Sequence, residues 1–184
     1  VEKLKGMGLN TELHETPKHP IVVARNEHVE GKKTLLIYGH YDVQPVDPLE
    51  LWDTPPFEPE IRDGRIWGRG STDNKGQMLA HILGIEEALE KNGELPVNLI
   101  LLFEGEEEVG SPNLVPFLEK HKDNLKCDVI AVSDTGMVAK GVPTMGYGLR
   151  GIACCEVTVR GPKGDLHSGV YGGAVANPGS AVAK

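Results

Sequence analysis

Residues 97–111, VNLILLFEGEEEVGS, decide how this chain folds. Val97 to Phe103 is an apolar run of strand length broken only by Asn98, and a nearly continuous run of that kind suits a strand buried on both faces. Directly behind it come four glutamates in five positions: Glu104, Glu106, Glu107 and Glu108. Carboxylates this close repel one another, so a solvated turn, a cation or a reaction must make them tolerable.

Working outward, shorter apolar runs at Leu9–His14, Ile21–Arg25, Thr34–Tyr38 and Cys127–Ser133 are bounded by Gly, Pro or charge and predict further strands. From Gly76 to Asn92, the residues Met78, Leu79, Ile82, Leu83, Ile85 and Leu89 recur at helical spacing, and Gly93 supplies the stop. Ser111 followed by Pro112 predicts the N-cap and first position of a second helix running to about His121. This alternation predicts an α/β domain with a mostly parallel sheet and flanking helices. After Gly148 the texture changes. GIACCEVTVR, residues 151–160, alternates like a half-exposed antiparallel strand, and GPKGDLHSGVYGG, residues 161–173, is a Gly-rich turn containing His167. The expected division is residues 1–148 for the α/β domain and 149–184 for the beginning of a second one.

Composition excludes several functions. A net charge of −8 does not suit a nucleic-acid surface. No run approaches the roughly 18 apolar residues of a membrane span. Cys127, Cys154 and Cys155 form no CxxC pair, so neither a zinc knuckle nor a disulfide framework is expected. Reduced thiols in a cytoplasm are the simplest reading. The chain opens without Met on what reads as the tail of a helix, and stops where a loop enters another. It is therefore read as a segment of a longer protein.

Sheets of this kind bind ligands outside the carboxyl ends of their strands. That rule gathers His40 and Asp42, Glu104 to Glu108, and Asp134 at one rim, with Asp73 in the turn leading into the helix at Gly76. His40 and Asp42 stand at i and i+2 of extended chain and face the same way, so the ring can bind metal while the carboxylate orients it. Glu107 and Glu108 can divide their labour, one holding a divalent cation while the other shuttles a proton. One His with several carboxylates and no Cys suits zinc, with cobalt or manganese as substitutes. Such ligands around two ions roughly 3.5–4 Å apart clamp a hydroxide for amide hydrolysis. Lys75 lies in a GSTDNKG stretch that lacks the order of a phosphate-binding loop.

Taken in order, YGHYDVQPV, WDTPPFEPEIRDGRIWGRGSTDNKG, FEGEEEVGS, AVSD and DLHSGVYGG resemble the dinuclear zinc exopeptidase family. That family includes aminoacylase-1, acetylornithine deacetylase, succinyl-diaminopimelate desuccinylase and the carnosinase-like dipeptidases. The forms HYDVQP, EGEEEVGS and DLHSGVYGG are most similar to its cytosolic nonspecific dipeptidase branch. The resemblance covers nearly all of the chain from Lys33 onward. It implies a zinc exopeptidase-like α/β domain, followed by the start of an α+β dimerisation (lid) domain, in a homodimer. By resemblance, His40, Asp73 and Asp134 hold one zinc, and Asp73 bridges to a second carried by Glu108. Glu107 is the general base, Asp42 supports His40, and His167 reaches the partner's active site to polarise the scissile carbonyl. The implied reaction is hydrolysis of a peptide bond next to a free carboxylate in dipeptides or short peptides. The same residues would serve an N-acyl amino-acid deacylase, or a catalytically silent relative that only binds metal or dimerises.

Two departures stand out. The family usually carries a second Asp after the bridging one, commonly joined by a cis peptide, and here that residue is Asn74. Asn keeps the shape and loses a charge, so the site is expected to survive with altered electrostatics. The resemblance also puts a last zinc-binding histidine and the carboxylate-binding residues beyond Lys184. This segment alone is accordingly expected to be inactive or nearly so.

Overall fold

The computed structural model describes all 184 residues, Val1–Lys184. They fall into two units, Val1–Met137 and Val138–Lys184. In the first, the chain forms α1 (Glu2–Gly6), β1 (Asn10–His14), β2 (Ile21–Arg25), β3 (Thr34–His40), the short strands β4 (Glu60–Arg62) and β5 (Arg65–Trp67), α2 (Lys75–Asn92), β6 (Asn98–Glu104), α3 (Leu114–His121) and β7 (Val129–Val132). β4 and β5 pair only with each other, and the Arg62 guanidinium lies over the Trp67 ring.

β6 is the centre of a five-stranded sheet ordered β1-β2-β6-β3-β7, and every residue of it is buried. Its alternation explains why. Leu99, Leu101 and Phe103 point to one face, where they pack with Ile37 and with Met78, Ile82, Ile85 and Leu89 of α2. Ile100 and Leu102 point to the other, against Phe117 and Leu118 of α3 with Leu36 and Val23. Each fully buried side chain of this size contributes about 1.5–3 kcal/mol. The two-layered core therefore holds this strand, and whatever follows its end, in a fixed position. α2 ends as the sequence predicts, at Gly93, whose left-handed φ of 72° suits a residue without a Cβ.

Three expectations are corrected. The sheet is mixed: β3 runs parallel to β6 and β7, but β2 is antiparallel to both β1 and β6. The short connection between β1 and β2 reverses the chain within a few residues, which only an antiparallel pair permits. Ser111 is not a helix cap. α3 begins at Leu114 behind Asn113, and the Ser111 hydroxyl donates instead to Glu104 at 2.8 Å. Residues 151–160 form no strand. The second unit offers them no partner strand, its sole ladder contact being the isolated bridge between Ala139 and Val142, and alternation without a neighbour leaves the backbone groups unpaired.

The second unit contains α4 (Ser168–Tyr171) and α5 (Pro178–Val182). Each is capped by the residue before it, His167 accepting from Gly169 N–H and Asn177 from Gly179 N–H. No helix of the chain is long and apolar enough to cross a membrane.

Candidate metal centre

Because β3, β6 and β7 are mutually parallel, their carboxyl ends share one rim. The β3–β6 ladder closes on the pair His40 and Glu104, and Tyr41 N–H adds one further bond to the Glu104 carbonyl at 2.8 Å. His40 is fully buried. Its Nδ1 lies 3.1 Å from Asp42 Oδ1 and 3.2 Å from the Asp42 carbonyl. Both partners are acceptors, so Nδ1 carries the proton and Nε2 presents its lone pair. Around that lone pair stand Asp73 Oδ1 at 3.1 Å, Asp134 Oδ2 at 3.6 Å and Glu107 Oε2 at 4.0 Å.

An unprotonated nitrogen ringed by carboxylate oxygens sets lone pair against lone pair, so a proton or a metal ion must lie between them. Without metal the surrounding carboxylates favour a proton there. Burial opposes the ring's charge, but Asp134, Asp42, Glu107 and Asp73 together raise the His40 pKa above the ordinary histidine value. Two clusters with metal-binding spacing result, His40 with Asp73 and Glu108, and His40 with Glu107 and Asp134, the ligand atoms within each lying no more than 4.8 Å apart. One imidazole and several carboxylates, two groups sharing a residue, are the donor set of a dinuclear zinc site.

Asp42 does more than orient the ring. Its two oxygens accept the backbone N–H groups of Glu107 at 3.2 Å and Glu108 at 3.0 Å. The same carboxylate thus ties the end of β3 to the turn after β6. The Glu107 carboxyl is pushed above its usual range: burial first, then the charges of Asp134, Glu108 and Asp42, raise its pKa against the opposing pull of His40. Gln44 donates to Glu108 Oε2 at 2.6 Å. The peptide between Asp73 and Asn74 is cis.

The remaining two glutamates of the acidic run point inward. Glu104 accepts from Tyr38 Oη at 2.6 Å and from Ser111. Glu106 accepts from Asn113 Nδ2 at 2.8 and 3.0 Å, and from the backbone N–H groups of Asn113 and His19, both at 3.3 Å. Burial works against its charge, and these donors outweigh it, holding the carboxyl below the usual range. Sequence reasoning grouped all four glutamates together. The period-2 signal was present, because Glu104 continues the face of Ile100 and Leu102 into the interior. Nothing local announced Gln44 or the bonds of Asn74.

The fold and the rim cluster define a metal-binding α/β domain with a dinuclear centre. The sequence profile of Peptidase family M20/M25/M40 matches residues 36–171, and the chain belongs to that family. The Cys-Gly metallodipeptidase of Schizosaccharomyces pombe is 42% identical over 167 residues, 89% of this chain and 35% of that protein. Among solved structures, an M20 family metallo-carboxypeptidase from Sulfolobus solfataricus matches with TM-score 0.69 and 46% identity over 74% of this chain and 31% of its own. A novel di-peptidase from Saccharomyces cerevisiae matches with TM-score 0.73 and 33% identity over 98% of this chain and 41% of its own. The chain therefore spans about a third of the length of the curated relative above.

Proposed function

We propose that the protein hydrolyses a peptide bond next to a free carboxylate in dipeptides or short peptides. The observation that carries this reading is the Nε2 of His40, buried at the sheet rim and surrounded by Asp73, Asp134 and Glu107 within 4.0 Å. The dipeptidase and carboxypeptidase names of the relatives support the substrate class.

One nitrogen binds one ion, so the sharing of His40 between clusters cannot itself seat two metals. A carboxylate has two oxygens and can. Asp73, nearest to Nε2 at 3.1 Å, would be shared by the two ions, with His40 and Asp134 holding one and Glu108 the other. Zinc held there supplies Lewis-acid polarisation of the carbonyl and lowers the pKa of a bound water. Glu107, whose proton affinity is raised, takes a proton from the attacking water as its oxygen bonds to the carbonyl carbon. It returns that proton to the amine nitrogen as the C–N bond breaks. Asp42 keeps His40 in the Nδ1–H form throughout.

Residues 1–148 are proposed as the catalytic metal-binding domain, and 149–184 as the beginning of a dimerisation domain of a homodimer. His167 Nδ1 accepts Gly169 N–H at 3.0 Å, which leaves Nε2–H as a donor. A donor is what a developing carbonyl oxyanion requires, and His167 is proposed to serve the partner's site in that role. The three free cysteines suit a cytoplasmic protein.

The test, made on the full-length protein, is hydrolysis of dipeptides with free and with blocked carboxyl ends, before and after chelation. Turnover of the free form that disappears on chelation and returns with zinc supports the proposal. Turnover unaffected by chelation, or preference for the blocked form, refutes it.

A further inference from the structure

Asn74, which stands where the resemblance implies Asp, is 2% exposed and touches two of the elements that carry the proposed ligands. Its Oδ1 accepts the His40 backbone N–H at 3.4 Å. Its Nδ2 donates to the Ser133 carbonyl at 3.2 Å and to Asp134 Oδ1 at 3.0 Å. The slot it fills exists because residue 39 is glycine. A Cβ there would meet Asn74 Oδ1 at 2.9 Å and Met78 Cγ at 2.6 Å.

Asp134 needs such a support. β7 is a short edge strand whose ladder with β3 ends at Val132, so Ser133 and Asp134 run past the last backbone bond of the sheet. Side chains alone fix them: His81 meets the Ser133 hydroxyl at 2.6 Å, and Asn74 grips both the Ser133 carbonyl and the Asp134 carboxylate. We propose that the Asn74 amide is a positioning residue that occupies Oδ1 of Asp134, leaving Oδ2 as the single oxygen offered to the metal beside His40 Nε2. The Asp that the family usually carries here could make these two contacts only by carrying a proton, whereas the amide donates to Ser133 and Asp134 without one. This inference rests on the assignment of Asp134 as a metal ligand.

The experiment titrates the metal-free protein with zinc by calorimetry and records the visible spectrum of its cobalt form, for wild type, Asn74→Asp, Asn74→Ser and Asp134→Ala, with urea melts alongside. Loss of an orienting partner of a ligand typically costs 10–100-fold in metal affinity. Asn74→Ser, which cannot span both contacts, is expected to weaken one ion by that factor and to alter the cobalt spectrum, leaving the second ion in place. Asn74→Ser keeps the test open should the buried charge of Asn74→Asp prevent folding. If negative charge were all that mattered, Asn74→Asp would bind zinc more tightly, and that result overturns the proposal. Reduced urea stability with unchanged zinc affinity and spectrum overturns it as well, since the amide would then be structural only. Retention of both ions in Asp134→Ala removes the ligand assignment on which the inference stands.

Discussion

Replacing Glu106 by Gln separates the two halves of the acidic run. The Glu106 carboxylate is 2% exposed and its oxygens accept four hydrogen bonds, from Asn113 Nδ2 twice and from the N–H groups of Asn113 and His19. In whichever orientation the glutamine settles, its NH2 faces two donors, one of them a backbone N–H. Two bonds to a charged acceptor, each worth about 1.5–3 kcal/mol, are lost, offset in part because no charge is then buried. The expected destabilisation is about 2–4 kcal/mol near neutral pH. The folded pKa of Glu106 is depressed, so its contribution is complete above the ordinary carboxylate pKa of about 4.5 and fades as pH falls through the lower folded value. Urea melts of the metal-free protein at pH 7 and in acid should therefore show a gap between wild type and Glu106→Gln that shrinks with acidification. A gap below about 0.5 kcal/mol at pH 7, or one that grows in acid, would refute this account of the buried charge.

In the full-length protein, Glu107→Gln should retain zinc by elemental analysis and fold normally, while dipeptide hydrolysis falls about 10²–10⁴-fold, the usual contribution of a general acid–base. Asp42→Asn loses the ionised acceptor shared by His40 and the two backbone N–H groups of Glu107 and Glu108; calorimetry should record about 10–100-fold weaker zinc binding. Leu101→Ala, at a fully buried position in the central strand, should cost about 2–5 kcal/mol in urea melts without changing which metals bind.

Much of this arrangement was legible in the sequence because it is local. Strand-length apolar runs placed β2, β3 and β6, and helical spacing with Gly93 placed α2. Parallel strands carry their ends to one rim, so His40, Asp42, Asp73, Glu107, Glu108 and Asp134 could be gathered before any distance was known. What escaped was long-range or depended on a missing neighbour. The antiparallel pairing of β2 with β6 joins segments far apart in the chain, and apolar pattern alone carries no strand direction. Residues 151–160 have a strand's alternation but no partner in their unit. Ser111 has the chemistry of a helix cap, yet the buried Glu104 carboxylate competes for its hydroxyl. Asn74 read as the loss of a charge, whereas its role lies in donating to residues some sixty positions away.

The most direct test of the central claim is metal stoichiometry, measured by elemental analysis and calorimetry on the whole protein beside Glu108→Ala and Asp73→Ala. Two zinc ions in the wild type, one retained in Glu108→Ala, and weakened binding of both in Asp73→Ala are predicted from a bridging Asp73. No tightly bound metal in the wild type, or two ions undisturbed by either substitution, would mean that the carboxylates around His40 are no metal centre.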